Sequence, residues 1–158
     1  MKVEDVMTKD VESCTLETNL AAAAMQMWER DCGVLPVVDD QRKVIGMITD
    51  RDICMAAATN HQDIATIEVR ELTSEPIHAC KPEADILEAL KILQRACVRR
   101  LPVVNDEGQL EGILSVSDIV RSSREKDNKA MPGVSYADVV TTFKTISAPR
   151  SKAAAANA

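Results

Sequence analysis

Residues 46–52 read GMITDRD, and 66 positions later residues 112–118 read GILSVSD. Each stretch is a glycine, two apolar residues, a hydroxyl residue and an aspartate three places beyond it. Laid over each other at that offset, residues 3–55 and 69–121 align without a gap and are identical at 12 of 53 positions. The matches include Leu35-Pro36-Val37-Val38 with Leu101-Pro102-Val103-Val104, and Cys14 with Cys80. Self-similarity at a fixed offset is the signature of a structural repeat, so the chain reads as two copies of one unit.

Within each copy a short extended stretch (VESCT; IHACK) leads to apolar residues at i, i+3, i+4 and i+7. These are Leu20, Ala23, Ala24 and Met27, matched by Ile86, Ala89, Leu90 and Leu93, the spacing of one buried helical face. Thr18 or Asn19 can cap the first of these helices, and Pro82 suits the start of the second. The LPVV run, a polar turn (DDQRK; NDEGQ) and VIGMIT or LEGILS then read as a β-hairpin. A last helix starts at Thr49 or Ser115. The predicted fold class is α+β, two β-α-β-β-α repeats. A unit of ~55 residues buries only a marginal core alone, so the copies are expected to pack as one pseudo-two-fold pair. Along the chain the expected divisions are 1–66 (first repeat with a connecting segment), 67–123 (second repeat) and 124–158 (a C-terminal helix and tail). In the last, SYADVVTTFKTI places Tyr136, Val139, Val140, Phe143 and Ile146 on one helical face, with Ser135 and Asp138 as a capping box. Docking on the body and contact with a partner or second copy both fit that face. A charged stretch, SSREKDNK, runs into Pro132-Gly133 before it, and the end, SAPRSKAAAANA, is expected to be disordered.

Composition narrows the functional classes. The chain has 158 residues, a net charge of −6 and only 2 % aromatics, so Leu, Ile, Val, Met and Ala must fill the core. The acidic balance argues against general affinity for nucleic acid or an anionic membrane. No apolar run reaches the ~18 residues of a membrane span, and MKVEDVMTKD lacks the apolar core of a signal peptide, so a cytoplasmic location is expected. The five cysteines (14, 32, 54, 80 and 97) stand at wide, irregular gaps, with two histidines, His61 and His78. That pattern predicts neither a disulfide framework nor a metal site, and most of the cysteines read as small buried apolar residues. No nucleophile–base pairing and no phosphate-cradling GxxxxGK[ST] loop is present, so an enzyme is not expected.

The repeated hydroxyl and aspartate have two readings. Thr49-x-x-Asp52 and Ser115-x-x-Asp118 fit a capping box at a helix start. They also suit a nucleotide. A helix N-terminus presents free amides and a positive dipole end to phosphate, and a carboxylate there can accept from ribose hydroxyls. The glycine three residues earlier lets a backbone or a ligand approach closely.

The paired unit with LPVV, a turn and Gly-h-h-Thr/Ser-x-x-Asp resembles a tandem of CBS domains (named from cystathionine β-synthase), over roughly residues 1–123. The resemblance implies clefts between the repeats that bind AMP, ADP, ATP or sometimes NAD or S-adenosylmethionine. It also implies antiparallel two-fold homodimers and regulation of a partner protein, here an unknown effector. Carried over by position, one cleft would hold Met47, Thr49, Arg51 and Asp52 from the first copy with Ile77, His78, Arg99, Arg100 and Pro102 from the second. The other would hold Ile113, Ser115, Ser117 and Asp118 with Val11, Glu12, Gly33, Val34 and Pro36. Arg51, Arg99 and Arg100 in the first cleft suit a phosphate, unless Arg99 and Arg100 are solvated surface charges. Their counterparts Ser117, Gly33 and Val34 carry no cation, and Glu12 replaces His78, so the first cleft is expected to bind phosphorylated adenosine more tightly. The rival reading is a ligand-free dimeric interaction scaffold in which both aspartates are only caps.

Overall fold

A computed structural model describes residues 1–73, 76–125 and 133–149. The elements in order are α1 (Leu20–Glu29), β1 (Val34–Val38), β2 (Val44–Thr49) and α2 (Asp50–Thr59), then α3 (Ile86–Ala96), β3 (Arg100–Val104), β4 (Leu110–Ser115) and α4 (Val116–Ser122), and finally α5 (Tyr136–Ile146). The second four repeat the first four at the offset of the sequence. β1 pairs antiparallel with β2 and β3 with β4, and each hairpin slips register at the same place, Val37/Val38 and Val103/Val104. VESCT and IHACK contribute one parallel bridge each, Cys14 to Val37 and Cys80 to Val103, rather than full strands. Backbone conformation follows the repeat as well. Asp31 and Cys97, just past α1 and α3, are both left-handed (φ 47° and 51°), as are Arg42 and Gly108 in the hairpin turns (61° and 83°).

Local signals set the helix starts. Asn19 caps α1 by accepting from the Ala22 amide at 2.8 Å. α3 is capped by Asp85, which accepts from Leu87 N at 2.8 Å, so Pro82 lies ahead of the helix and not at its first position. The buried faces are Leu20, Ala23 and Met27 on α1 and Ile86, Ala89, Leu90 and Leu93 on α3.

The two cores exchange their leading segments. A 3-10 turn, Val3–Asp5, opens the chain, yet fully buried Val3 belongs to the core of the second repeat, with Cys80, Leu93, Leu101 and Leu114. Its counterpart, Val69–Glu71, places Val69 and nearby Ile67 in the core of the first, with Cys14, Leu20, Leu35 and Ile48. Matched backbone bonds hold both. Leu20 N donates to Ile67 O (2.9 Å) as Ile86 N donates to Met1 O (3.0 Å), and Val69 N donates to Thr18 O (2.9 Å) as Val3 N donates to Ala84 O (3.0 Å). The hairpin tips are bonded in the same reciprocal way, Val44 N to Gly108 O and Leu110 N to Arg42 O, each 3.0 Å.

Gly46 and Gly112 are explained by this exchange. Thr8 crosses β4 beside Gly112, exchanging two 2.9 Å bonds with Ile113, and a Cβ on Gly112 would lie 2.6 Å from the Thr8 carbonyl oxygen. At Gly46 a Cβ would meet the Thr73 methyl at 2.1 Å. The glycine of the motif thus admits protein, not a ligand.

The C-terminal helix packs on the second repeat, where Val134, Val139 and Ile146 join its core and Thr142 accepts from Gln94 Nε2 at 2.7 Å. Ser135 and Asp138 form the expected capping box. The expected five-residue face divides, however: Val139 and Ile146 are buried with Thr142, whereas Tyr136, Val140 and Phe143 face outward. The charged run and the tail expected to be disordered fall largely on 126–132 and 150–158, outside the described residues.

Two outcomes test this packing. Gly112→Ala forces a side chain against backbone and should cost about 1–3 kcal/mol. Gly46→Ala meets only a methyl group and should cost less; urea unfolding ranks the two. Burial pushes the Cys14 thiol up to about 11 and the Cys80 thiol up to about 12, against 9.0 for a free thiol. A raised folded-state value means the contribution to stability is intact below pH 9 and is lost as pH rises through the folded values. The Cys14→Ala/Cys80→Ala double variant should therefore lose less stability than the native chain between pH 8 and pH 11, read by the same unfolding curves.

Candidate functional site

Each hairpin presents an outer face away from its core. Leu35 and Ile48 are opposite one another and buried in the first core, so the alternate pairs, Val34 with Thr49 and Pro36 with Met47, point the other way. In the second repeat the corresponding pairs are Arg100 with Ser115 and Pro102 with Ile113. Val34 and Ile113 are buried although they belong to neither core, and Pro36 and Pro102 are buried too. These residues lie in the seam between the repeats. Of the other candidates, Met47, Ile77 and Val11 are half-buried, and Arg51, His78, Arg99 and Ser117 are exposed.

Both hydroxyl–aspartate pairs are complete capping boxes. The Thr49 hydroxyl accepts from Asp52 N at 3.3 Å, and Asp52 Oδ2 accepts from Thr49 N at 2.9 Å and from its hydroxyl at 2.6 Å. Ser115 and Asp118 repeat this with distances of 3.2, 2.8 and 2.6 Å. In each case the bonds from the cap use Oδ2. The second oxygen distinguishes the two: Asp118 Oδ1 accepts from Arg121 Nη2, whereas the residue three places beyond Asp52 is Met55. Asp118 is only 5 % exposed, and Asp52 is partly open to solvent. Glu12, a residue expected in the second cleft, accepts from Arg30, which also lies 3.7 Å from Asp10.

A cavity of about 540 Å³ opens where β3 reaches the first repeat. Arg100 lines it together with Gly33, Asp50 and Ile53, beside Trp28 and Asp31. The Asp50 carboxylate lies over Gly33, where an added Cβ would be 2.7 Å from Asp50 Oδ2, and Asp50 N donates to Gly33 O at 3.3 Å. The sequence reading puts Arg100 and Gly33 in different clefts; the structure brings them to one cavity at the start of α2. The arrangement puts a guanidinium from one repeat beside the carboxylates of Asp31 and Asp50 of the other, while the first amides of α2 are held by Gly33 O, Asp50 Oδ1 and the Thr49 hydroxyl.

Several residues here had not been singled out. Asp50 and Trp28 line the cavity, and Arg121 and Arg30 engage Asp118 and Glu12. Of these, Arg121 alone had a sequence signal, since a cation three residues after an aspartate on a helix can pair with it. The cysteine reading holds for Cys14 and Cys80 but not for Cys32 and Cys54, which are exposed and line the cavity. Among the described residues no three His, Cys, Asp or Glu side chains are grouped to share a metal ion, and no helix is long and apolar enough to cross a membrane.

Comparison with known proteins bears on the family and the fold. The chain is 36 % identical over 117 residues to hypoxic response protein 1 of Mycobacterium tuberculosis, covering 74 % of this chain and 81 % of that one. A crystal structure of hypoxic response protein I with two coordinated zinc ions superposes with a TM-score of 0.70 at 34 % identity, covering 77 % of this chain and 98 % of that one. The structure of CBSX2 in complex with AMP gives a TM-score of 0.66 at 26 % identity, over 76 % and 93 % of the two chains. The CBS domain matches twice, over residues 3–59 and 69–125, and the chain belongs to the CBS-domain family as a tandem pair.

Proposed function

We propose that this protein is a regulatory module that reversibly binds an adenine nucleotide in the cleft built on Thr49 and Asp52, and that occupancy biases a partner protein. The observation that carries this reading is the geometry at the start of α2. Asp52 uses Oδ2 for the cap and leaves Oδ1 outside those bonds, while Arg100 of the other repeat lies with Asp50 and Gly33 in the adjoining cavity. A ribose hydroxyl can donate to the first and a phosphate can pair with the second. Arg51 and Arg99 add exposed positive charge on the two sides. AMP is the foremost candidate, being the ligand of the CBSX2 complex. ADP, ATP and NAD share its adenosine monophosphate end. A nucleotide shifts the module only if it binds two of its states differently, and a cleft between repeats meets that requirement because closing it draws both repeats onto one ligand.

A second copy is the proposed structural partner. On the first repeat Met25, Trp28 and Met55 are 57 %, 84 % and 49 % exposed, whereas the equivalent positions of the second are Lys91, Gln94 and Arg121. An apolar group of this size on a soluble surface marks an association face. The scaffold reading keeps one specific support, the completeness of both capping boxes, which gives each aspartate a structural role without a ligand.

Calorimetric titration of the purified, ligand-stripped chain with AMP, ADP, ATP and NAD separates the two. Asp52→Ala should cost about 1 kcal/mol of stability as a cap and lower AMP affinity at least about tenfold if its carboxylate holds the ribose. Absence of heat with all four nucleotides from a folded protein would leave the scaffold.

A further inference from the structure

We infer that Arg121 and Arg30 close the second cleft from within, so that each chain has one nucleotide site, on the Asp52 side. This rests on the nucleotide reading above and adds to it a device that the pseudo-symmetry makes visible. The two clefts share their backbone: hairpins with the same register, the same bulge and the same capping box. What differs is the partner of each carboxylate. Asp118 Oδ1 is filled by the Arg121 guanidinium, and the carboxylate is almost fully shielded from solvent. Glu12, assigned to the same cleft by position, is held by Arg30. The equivalents of Arg121 and Arg30 in the first cleft are Met55 and Ala96, and the equivalent of Glu12 is His78, so neither ion pair can form there.

The competition favours the internal cation. A ribose hydroxyl offers the Asp118 carboxylate a bond from a neutral donor, whereas Arg121 pairs it with a full positive charge. Arg121 is also tethered one helical turn away, so no concentration of ligand is needed to keep it in place. An exposed ion pair alone is worth at most ~1 kcal/mol, but here displacing it must also uncover a buried carboxylate. The second cleft then offers a phosphate less, since Ser117 stands where Arg51 stands and Val34 where Arg100 stands in the first.

The test moves the latch. Met55→Arg gives the first repeat the residue that the second already has, at a position 49 % exposed; since Met55 also belongs to the proposed association face, the oligomeric state of each variant is measured beside its affinity. Met55→Gln is its uncharged control, and thermal unfolding of each checks the fold. Titration of the native chain with AMP should give about one nucleotide per chain; Met55→Arg should lower the affinity about tenfold or more, and Met55→Gln should bind as the native chain does. Two AMP per chain would overturn the inference while leaving the nucleotide reading intact. So would Met55→Arg that binds normally, or Met55→Gln that loses as much affinity. No AMP uptake by the native chain would overturn the nucleotide reading itself, and the inference with it.

Discussion

The structure depends on an exchange: each half of the chain completes the core of the other. Val3 and Val69 are both fully buried, and each lies among residues from the opposite repeat. A unit of ~55 residues has too little interior to be secure alone, and here neither has even its whole interior. Reciprocal backbone bonds at the two leading segments and at the hairpin tips fix the halves at one angle. The seam between them is therefore as determinate as the cores, and it carries the candidate site.

Within that seam the same few atoms serve two ends. A hydroxyl and an aspartate at a helix start satisfy the free amides whether or not a ligand is present, so the capping role is compatible with the proposed recognition role. Only the outer oxygen of each carboxylate is open to further use. Its fate is set by one side chain a turn along the helix, methionine in one repeat and arginine in the other. Duplication supplied two equivalent frames, and single residues have made them unequal.

Much of this was legible in the sequence because it is local. The period of 66, the apolar spacing of α1 and α3, the hairpins and the Ser135–Asp138 box are each written in neighbouring residues. Contacts distant along the chain were not. Nothing in residues 1–8 announces that Val3 serves the second core or that Thr8 crosses Gly112; that glycine declared a close approach but not by what. α5 was read as one apolar stripe, yet two overlapping stripes fit the spacing, and the Gln94–Thr142 bond selects the one containing a threonine. At the site, residue types suggested the nucleotide reading, but the cavity joining Arg100 to Gly33 and Asp50 appears only when the strands are placed. The Arg30–Glu12 pair spans 18 residues and had no local signal.

The placement of α5 has a consequence for assembly. A body with two matching ends, each an uncovered pair of helices, can add copies at both, and unless the rotation closes, it grows into a fibre. Here α5 sits on α3 and α4, with Val139 and Ile146 in the core of that end. Among the described residues no such helix covers α1 and α2, while α5 itself turns Tyr136, Val140 and Phe143 outward. The C-terminal helix thus makes the two ends of a duplicated module unlike, so that a contact made through α1 and α2 of one copy cannot be repeated in the same form through α3 and α4.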